Sequence, residues 1–295
     1  MKNRKDIVYY IMMAVLLVVF AGSGGMLLTN YLRDRGHEKE LEQMASRFPQ
    51  AEPPKARSAA DSKSDSGAKD ADTGDTKQEE TGTGADGSAV LPPLEWKAWW
   101  EEQAEGRFTA YASLMAQNPD MAGWVRIEGT KVDYPVMQSP ASPEYYLHRD
   151  FDKKYSNYGI PFMEGICRCE EPRTSLLIYG HHMKNGAMFA ALQNYTAESY
   201  YRQHPYIQFD TADQAGSYEI ALAVKVDAAD TDALWRSLLF PADEAQFDEA
   251  SRQLSQQAFY QTGVPLFYTD RLLALVTCEY SLEDGRLMVV AREIQ

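Results

Sequence analysis

The sequence is poor in cysteine, and its few thiols exclude one common class of small extracellular protein. Three cysteines among 295 residues are too few, and odd in number, for a disulfide-stabilised scaffold. Cys167 and Cys169 are two positions apart, a spacing that strains a mutual disulfide and leaves a zinc site incomplete. We interpret both as ordinary thiols, and a regulatory or metal-binding role is the alternative.

Sequence motifs of several enzyme classes are also missing. The chain contains no glycine-rich phosphate loop, no G-x-S-x-G nucleophile elbow and no spacing of His and Cys residues typical of a metal site. We therefore expect no metal and no cofactor. Basic residues are outnumbered, with 29 Lys and Arg against 43 Asp and Glu, which gives a net charge of −14. This balance argues against binding to nucleic acid or to anionic lipid head groups.

One stretch near the N-terminus lacks charge altogether. Ile7–Leu28 contains 22 residues without Asp, Glu, Lys or Arg, and about 20 apolar residues are enough to cross a bilayer as a helix. A cleaved signal peptide is the alternative, because basic residues precede the run and small residues occur near its end. The length of the run favours an uncleaved anchor. We predict residues 7–28 as a transmembrane anchor that follows a short N-terminal segment, residues 1–6; the charges on the two sides of the run do not determine its orientation.

A second stretch lacks every large apolar side chain. Between Pro53 and Ala89 there is no Val, Ile, Leu, Met, Phe, Trp or Tyr, so this segment cannot bury enough apolar surface to offset the entropy of ordering. The preceding segment, 31–50, could continue the anchor as a polar helix. We assign residues 29–90 as a disordered tether and residues 91–295 as one globular domain, which is long enough for a single core.

The globular domain begins with aromatic helices and continues with short strands. Apolar spacing over residues 94–117 predicts one or two amphipathic helices, which end at Asn118-Pro119-Asp120. Beyond them, short apolar runs between turn residues favour a barrel or a sandwich, and a helical insertion is predicted between Asp243 and Gln261. The predicted strands are 124–127, 131–136, 160–163, 174–179, 207–209, 218–226, 272–277 and 287–291.

The last two predicted strands form an antiparallel hairpin. Cys278 closes the first strand of this hairpin and Arg286 opens the second, so that the two residues fall within side-chain reach of each other. A thiol beside a guanidinium can be a nucleophile beside a cation. A buried small cysteine and a surface arginine are the plain alternative.

Two histidines follow a buried strand. His181 and His182 come directly after Gly180, and we place them on a loop at the mouth of the sheet. An imidazole can accept and donate protons near neutral pH, although a solvated loop histidine without a role is the alternative. Together Cys278, His181 and Arg286 can form one catalytic set. The thiol attacks a carbonyl, the imidazole transfers protons, and the guanidinium stabilises the oxyanion.

Several motifs occur in a fixed order along the globular domain. They are Gly123-Trp-Val-Arg-Ile127, Asp133-Tyr-Pro-Val136, Tyr145-Tyr-Leu-His-Arg-Asp-Phe-Asp152, Ile178-Tyr-Gly-His181-His182 and Leu275-Val-Thr-Cys278. Through these motifs the chain, from about residue 118 to the C-terminus, resembles the class B sortases, which are cell-wall transpeptidases of Gram-positive bacteria. Ala274 replaces the first Thr of the family's Thr-Leu-x-Thr-Cys pattern, whereas Thr277 and Cys278 are kept. The predicted helical insertion before the last hairpin also matches the class.

The resemblance implies a fold and a set of roles. The fold would be mainly β, of the α+β class: a closed eight-stranded barrel with N-terminal helices and a helical insertion before the catalytic strand. Cys278 would be the nucleophile, His181 the general acid and base, and Arg286 the oxyanion and substrate clamp. His182 would not be catalytic, because the family histidine is the first one after the glycine.

The resemblance also implies partners and a location. The substrate would be a secreted protein with a C-terminal sorting signal, cut after Thr to give a thioacyl enzyme. An amine of lipid II or peptidoglycan, or a pilin lysine, would resolve that intermediate. The N-terminus would be cytoplasmic and the catalytic domain extracellular, with no metal or cofactor required.

Two other functions are compatible with the same residues. A cell-wall cysteine hydrolase would use the same catalytic set with water as the acceptor. A non-catalytic wall-binding module would contain Cys278 only as a buried side chain. The acceptor used and the reactivity of this thiol distinguish the three functions.

Overall fold

The computed structural model divides the chain into two units, one up to Met44 and the other from Ala45 to Gln295. The residues that the structure describes are 4–48, 90–171, 175–227, 234–278 and 286–295.

The first unit consists of one long helix, α1, over Arg4–Ala45. The polar helix predicted from residue 31 is confirmed as far as Ala45. It forms the C-terminal part of α1, which is continuous from Arg4. Residues 49–89, which make up most of the predicted tether, lie outside the described residues. Among the residues that are described, no helix combines the length and the apolar character needed to cross a membrane.

The second unit begins with two helices, α2 over Pro93–Glu102 and α3 over Ala104–Gln117. Helix α2 starts with a proline, which is favourable there because the first helical N–H has no partner within the helix. Helix α3 ends at Asn118, whose extended backbone is the conformation that a residue before proline adopts. The predicted helical region is therefore confirmed as two helices. An aromatic cluster packs α2 against the barrel and contains Leu91, Trp96, Trp99, Trp100, Tyr206 and Ile294.

Eight strands close into a barrel, in the order β1-β2-β3-β4-β7-β8-β6-β5. The pairs β2–β3 and β4–β7 are parallel, and the other pairs are antiparallel. The prediction of a closed eight-stranded barrel of the α+β class is confirmed. The strands are β1 Met121–Arg126, β2 Asp133–Met137, β3 Phe162–Met163, β4 Leu176–His181, β5 Tyr206–Asp210, β6 Ser217–Val226, β7 Leu272–Cys278 and β8 Arg286–Glu293.

The segments between the strands add three helices, α4 over Glu198–Gln203, α5 over Leu234–Leu239 and α6 over Glu244–Gln257. Helix α6 confirms the predicted insertion. Its first turn is capped by Asp243, whose carboxylate accepts the backbone N–H of Gln246 at 2.9 Å. The sequence did not predict α5, which precedes α6 in the same connection. Within the described residues, 3-10 helices cover Tyr145–His148 and Phe189–Thr196.

The end of β4 differs from the prediction. The sequence placed the end of this strand at Tyr179 and put His181 on a loop. In the structure Gly180 and His181 belong to β4, because they continue its parallel ladder with Thr277 and Cys278 of β7. Gly180-His181 resembles the start of a loop when the sequence is considered alone. Pairing with β7 keeps these two residues in a strand conformation. His181 is therefore fixed by the sheet.

A buried carboxylate joins the N-terminal helices to the barrel. Asp210, at the end of β5, is fully buried and accepts from the Nε of Arg107 at 2.7 Å. It also accepts from the indole of Trp100 at 2.8 Å and from the hydroxyl of Tyr111 at 3.0 Å. The backbone N–H of Gly216 completes the set at 3.1 Å. A buried charge is tolerated when a cation and hydrogen-bond donors surround it in this way.

We expect Arg107→Met to destabilise the second unit by about 3–5 kcal/mol, because Asp210 would be left buried without its cation. Arg252→Met is the matched control. Arg252 pairs with Glu249 on the exposed surface of α6, and such a pair contributes at most about 1 kcal/mol. Urea denaturation of the full chain measures both. Equal losses for the two variants would contradict the role assigned to the buried pair.

Candidate active site

Strands β4, β7 and β8 lie side by side in the barrel, with β7 in the middle. Because β4 and β7 are parallel, their C-terminal ends lie at the same end of the barrel. The last pair in their ladder is His181 with Cys278. Neighbouring strands are about 4.8 Å apart, and residues in register occupy positions on the same face of the sheet. The backbone thus places the predicted histidine and the predicted cysteine at adjacent positions.

Arg286 comes to the same place from the other side of β7. The antiparallel ladder between β7 and β8 runs from Leu272 with Arg292 to Val276 with Met288. Continuing this register by two residues puts Cys278 opposite Arg286. The structure therefore brings all three predicted site positions to one end of the barrel, on three adjacent strands. The predicted turn residues, 279–285, lie outside the described residues.

The threonine before the cysteine has a structural role at this point. Thr277 is almost fully buried, and its hydroxyl accepts the backbone N–H of Leu287 at 3.2 Å. This side-chain bond continues the connection between β7 and β8 beyond the last paired residues. It keeps the end of β7 next to the start of β8, where Arg286 begins the strand.

The His181 ring is held by a backbone carbonyl. Its Nε2 lies 2.8 Å from the carbonyl oxygen of Leu147, in the first 3-10 helix. A carbonyl oxygen can only accept, so Nε2 carries a proton and donates it. In the neutral ring Nδ1 then carries the lone pair, which makes it the nitrogen able to accept a proton. The ring of His148 lies nearby, with the two ring centroids 5.7 Å apart.

Gly180 allows the side chain of Phe189 to pack closely against this end of β4. A Cβ at position 180 would lie 2.6 and 2.7 Å from ring atoms of Phe189, which is itself fully buried. Contacts that short do not occur, so a side chain here would displace either the ring or the strand. The glycine before His181 thus permits close packing between β4 and the 3-10 helix over Phe189–Thr196.

The remaining described histidines of the globular domain are placed differently. His182 forms an isolated bridge with Met188 and lies beyond the last pair of the β4–β7 ladder. His204 is buried, and its Nδ1 lies 2.8 Å from the carbonyl oxygen of Glu128. Burial lowers the pKa of His204, which favours a neutral structural ring. Only His181 is in register with Cys278.

The two neighbouring cysteines are poor candidates for chemistry. Burial raises the pKa of Cys167 to about 12, and its sulfur accepts the backbone N–H of Leu177. Burial also raises the pKa of Cys169 to about 11, although Arg271 opposes the shift. The thiolate is the reactive form of cysteine, so both side chains are inert near neutral pH. Both are free thiols, as the sequence suggested.

Sequence reasoning missed the contacts that hold His181. The segment around Leu147 carries one of the motifs that we identified, but a backbone carbonyl leaves no signal in a sequence. Asn118-Pro119-Asp120 was interpreted only as the end of a helix. Asn118 and Asp120 in fact hydrogen-bond with Tyr146, 26 to 28 positions later in the chain. Two polar residues directly after a helix end were the only hint in the sequence.

Comparison with known proteins gives a consistent result. The family model of the sortase domain matches residues 125–294. A protein named Sortase B from Listeria monocytogenes is 30% identical over 178 residues, which cover 60% of this chain and 70% of that protein. The fold is also similar to that of solved structures. A Staphylococcus aureus sortase B–substrate complex superposes with a TM-score of 0.59 at 24% identity, covering 68% of this chain and 94% of that one.

A second solved structure adds a different ligand. A sortase B in complex with triglycine superposes with a TM-score of 0.59 at 24% identity, and covers 69% of this chain and 95% of that one. At this identity the similarity establishes the fold. The family model covers more than half of the chain and includes all three site positions.

Proposed function

The chain belongs to the sortase family, as an enzyme of class B, and from this premise we propose that it cleaves C-terminal sorting signals after Thr with Cys278 as the nucleophile. It then transfers the secreted protein to an amine of lipid II or peptidoglycan, or to a pilin lysine. The observation that carries the proposal is the register of the three strands. It supports a catalytic set formed by Cys278, His181 and Arg286.

The reaction follows from the chemistry of these three groups. His181 accepts the proton of the Cys278 thiol, the thiolate attacks the carbonyl carbon of the Thr residue, and Arg286 stabilises the tetrahedral oxyanion that forms. When the amide C–N bond breaks, His181 donates a proton to the leaving amine. The incoming amine attacks the resulting thioester, His181 accepts a proton from it, and Cys278 leaves as the thiolate. One amide bond is exchanged for another, so no external energy source is required.

Known complexes support the two partners in chemical terms. A Staphylococcus aureus sortase B was solved with a substrate, and another sortase B was solved with triglycine, which offers a primary amine. For this chain we therefore propose a peptide donor and an amine acceptor. The wall precursor, peptidoglycan and a pilin lysine all present such an amine.

We also propose a location. Its support is the sequence itself, because Ile7–Leu28 is uncharged and long enough to span a bilayer. Large apolar side chains in this run are exposed on α1, including Leu17 at 63% and Phe20 at 79%. Surfaces of this kind on a helix favour a lipid environment. The proposed arrangement is a single-pass membrane protein with a cytoplasmic N-terminus and an extracellular catalytic domain.

We expect the full-length protein in detergent to join Thr-containing sorting peptides to triglycine, with a product detectable by mass spectrometry. Cys278→Ala should abolish the product, whereas Cys169→Ala should retain it because the raised pKa of the half-buried Cys169 keeps this thiol protonated and inert. Hydrolysis at the Thr site even at high triglycine, with cleavage of muropeptides, would favour the cell-wall hydrolase. No cleavage of any peptide, with slow labelling of Cys278, would favour the wall-binding module.

The Arg286→Lys variant should lose about 100-fold in kcat. A point charge does not reproduce the planar pair of donors that a guanidinium offers to an oxyanion. Arg292→Lys is the control, since Arg292 lies on the same strand and forms a partly exposed pair with Glu219. Steady-state kinetics with one sorting peptide measures both variants. Near-normal turnover by Arg286→Lys would contradict the oxyanion role.

In Gram-positive cells, the protein should stay in the membrane fraction after alkaline carbonate washing, and detergent should release it. Protease added to intact protoplasts should digest the catalytic domain. The physical reason is the free energy of burying an apolar run of this length in lipid. Recovery in the carbonate supernatant, or an N-terminus that begins after residue 28, would contradict the anchor and support a cleaved signal peptide.

A further inference from the structure

The carbonyl that contacts the proposed general base belongs to the middle of three successive residues, and backbone N–H groups bind the carbonyl oxygens of the outer two. The carbonyl of Tyr146 accepts from Ile160 at 3.2 Å, and that of His148 accepts from Ser156 at 3.1 Å. The carbonyl between them, that of Leu147, faces the His181 ring at 2.8 Å. The backbone is therefore fixed on both sides of the group that holds the imidazole.

A glycine lies directly against this segment. Gly159 has a φ of +56°, a conformation that favours glycine, and an added Cβ would collide with the Leu147 carbonyl oxygen. The same Cβ would lie 2.8 Å from the carbonyl oxygen of Tyr146. Because glycine has no side chain, the backbone at Gly159 can lie close to the segment that carries these carbonyls. Its position limits how far the Leu147 carbonyl can move.

The Tyr146 side chain anchors the segment 146–151 through hydrogen bonds to residues that follow α3. It is fully buried, and its hydroxyl donates to a carboxylate oxygen of Asp120 at 2.7 Å. The same hydroxyl accepts from the side-chain amide of Asn118 at 3.0 Å. That amide also donates to the carbonyl of Phe151 at 2.7 Å. Asn118 thus ties both ends of the segment 146–151 to the end of α3.

The acceptor of the Tyr146 hydroxyl is kept ionised. Lys153 lies 2.8 Å from Asp120, and its hydrogen bond lowers the pKa of this carboxyl against the opposing effect of burial. The hydrogen bond from Tyr146 lowers it further. Lys153 has a φ of 67°, which is uncommon for a residue with a side chain. The backbone N–H of Lys153 donates to the carbonyl of Asp150 at 3.0 Å, and this bond helps to hold the backbone that positions Lys153.

We propose that Tyr146, with Asn118 and Asp120, is a positioning residue for the catalytic set. Tyr146 holds the Leu147 carbonyl in place. This carbonyl accepts a hydrogen bond from the Nε2–H of His181 and thereby fixes the tautomer of the ring. Nδ1 is then the nitrogen that exchanges protons during the reaction. In other enzymes a carboxylate orients the catalytic histidine in this way; here a backbone carbonyl fills that place. The inference rests on the role proposed above for His181.

The first test compares two buried tyrosine hydroxyls. Tyr146→Phe removes the anchor, whereas Tyr195→Phe removes an equally buried hydroxyl that donates instead to the carbonyl of His204 at 2.7 Å. We expect both variants to lose similar thermal stability. Only Tyr146→Phe should lower kcat, by about 10-fold, with KM unchanged within about twofold. The substrate is the sorting peptide that the wild-type chain cleaves fastest. Equal kcat for the two variants would overturn the proposal.

The second test needs no substrate. In full-length protein labelled with ¹⁵N-histidine, the nitrogen shifts of His181 report which ring nitrogen carries the proton. We expect mainly the Nε2–H form in wild type and in Tyr195→Phe, and a mixture of tautomers in Tyr146→Phe. An unchanged tautomer in Tyr146→Phe would overturn the proposal. If wild type shows the Nε2–H form but cleaves no peptide, the proposed function fails while the positioning contact stands.

A third comparison covers the case in which Tyr146→Phe does not fold. Asp120 is only partly buried, so its variants should be tolerated. Asp120→Ala removes the acceptor of the Tyr146 hydroxyl and should lower kcat in the same direction as Tyr146→Phe. Asp120→Asn keeps an acceptor oxygen and should restore kcat to within about twofold of wild type. Equal losses for Asp120→Ala and Asp120→Asn would contradict a hydrogen-bonded anchor.

Discussion

The parallel ladder between β4 and β7 is the constraint on which the site depends. Parallel strands cannot be joined by a tight turn, so the connection from His181 to Leu272 contains β5, β6 and three α-helices. In return, both strands end at the same end of the barrel, with His181 and Cys278 in register. The antiparallel strand β8 starts at that end, and it adds Arg286 without another crossover.

Buried polar groups fix this barrel at two other points. Asp210 binds the N-terminal helices through three donors and the backbone N–H of Gly216 through a fourth, and the hydroxyl of Tyr146 lies between Asn118 and Asp120. In both places each polar group has a partner, which is the condition under which a buried network adds definition to a fold. The network around Tyr146 anchors the residue directly before Leu147, whose carbonyl contacts His181. Packing in the body of the protein is thereby connected to the geometry of the proposed general base.

Much of the local structure could be predicted from the sequence, because short apolar runs between turn residues have a period that a strand requires. All eight strands were found this way, and Cys278 and Arg286 were placed at facing ends of one hairpin. The errors have local causes. Gly180 and His181 resemble the start of a loop and became strand only through pairing with β7. Helix α5 is only six residues long, which is too short for a clear helical period.

The sequence by itself determined the positions of the strands along the chain, the hairpin that pairs Cys278 with Arg286, and the motifs that identify the family. These follow from periodicity, turn residues and neighbouring positions, all of which are local properties. Only the tertiary structure decided that His181 is in register with Cys278, that the Leu147 carbonyl holds its ring, and that Tyr146 anchors that carbonyl. Each of these contacts joins residues far apart in the chain, and one uses a backbone atom that every residue possesses. No pattern of side chains can specify such a contact before the barrel has closed.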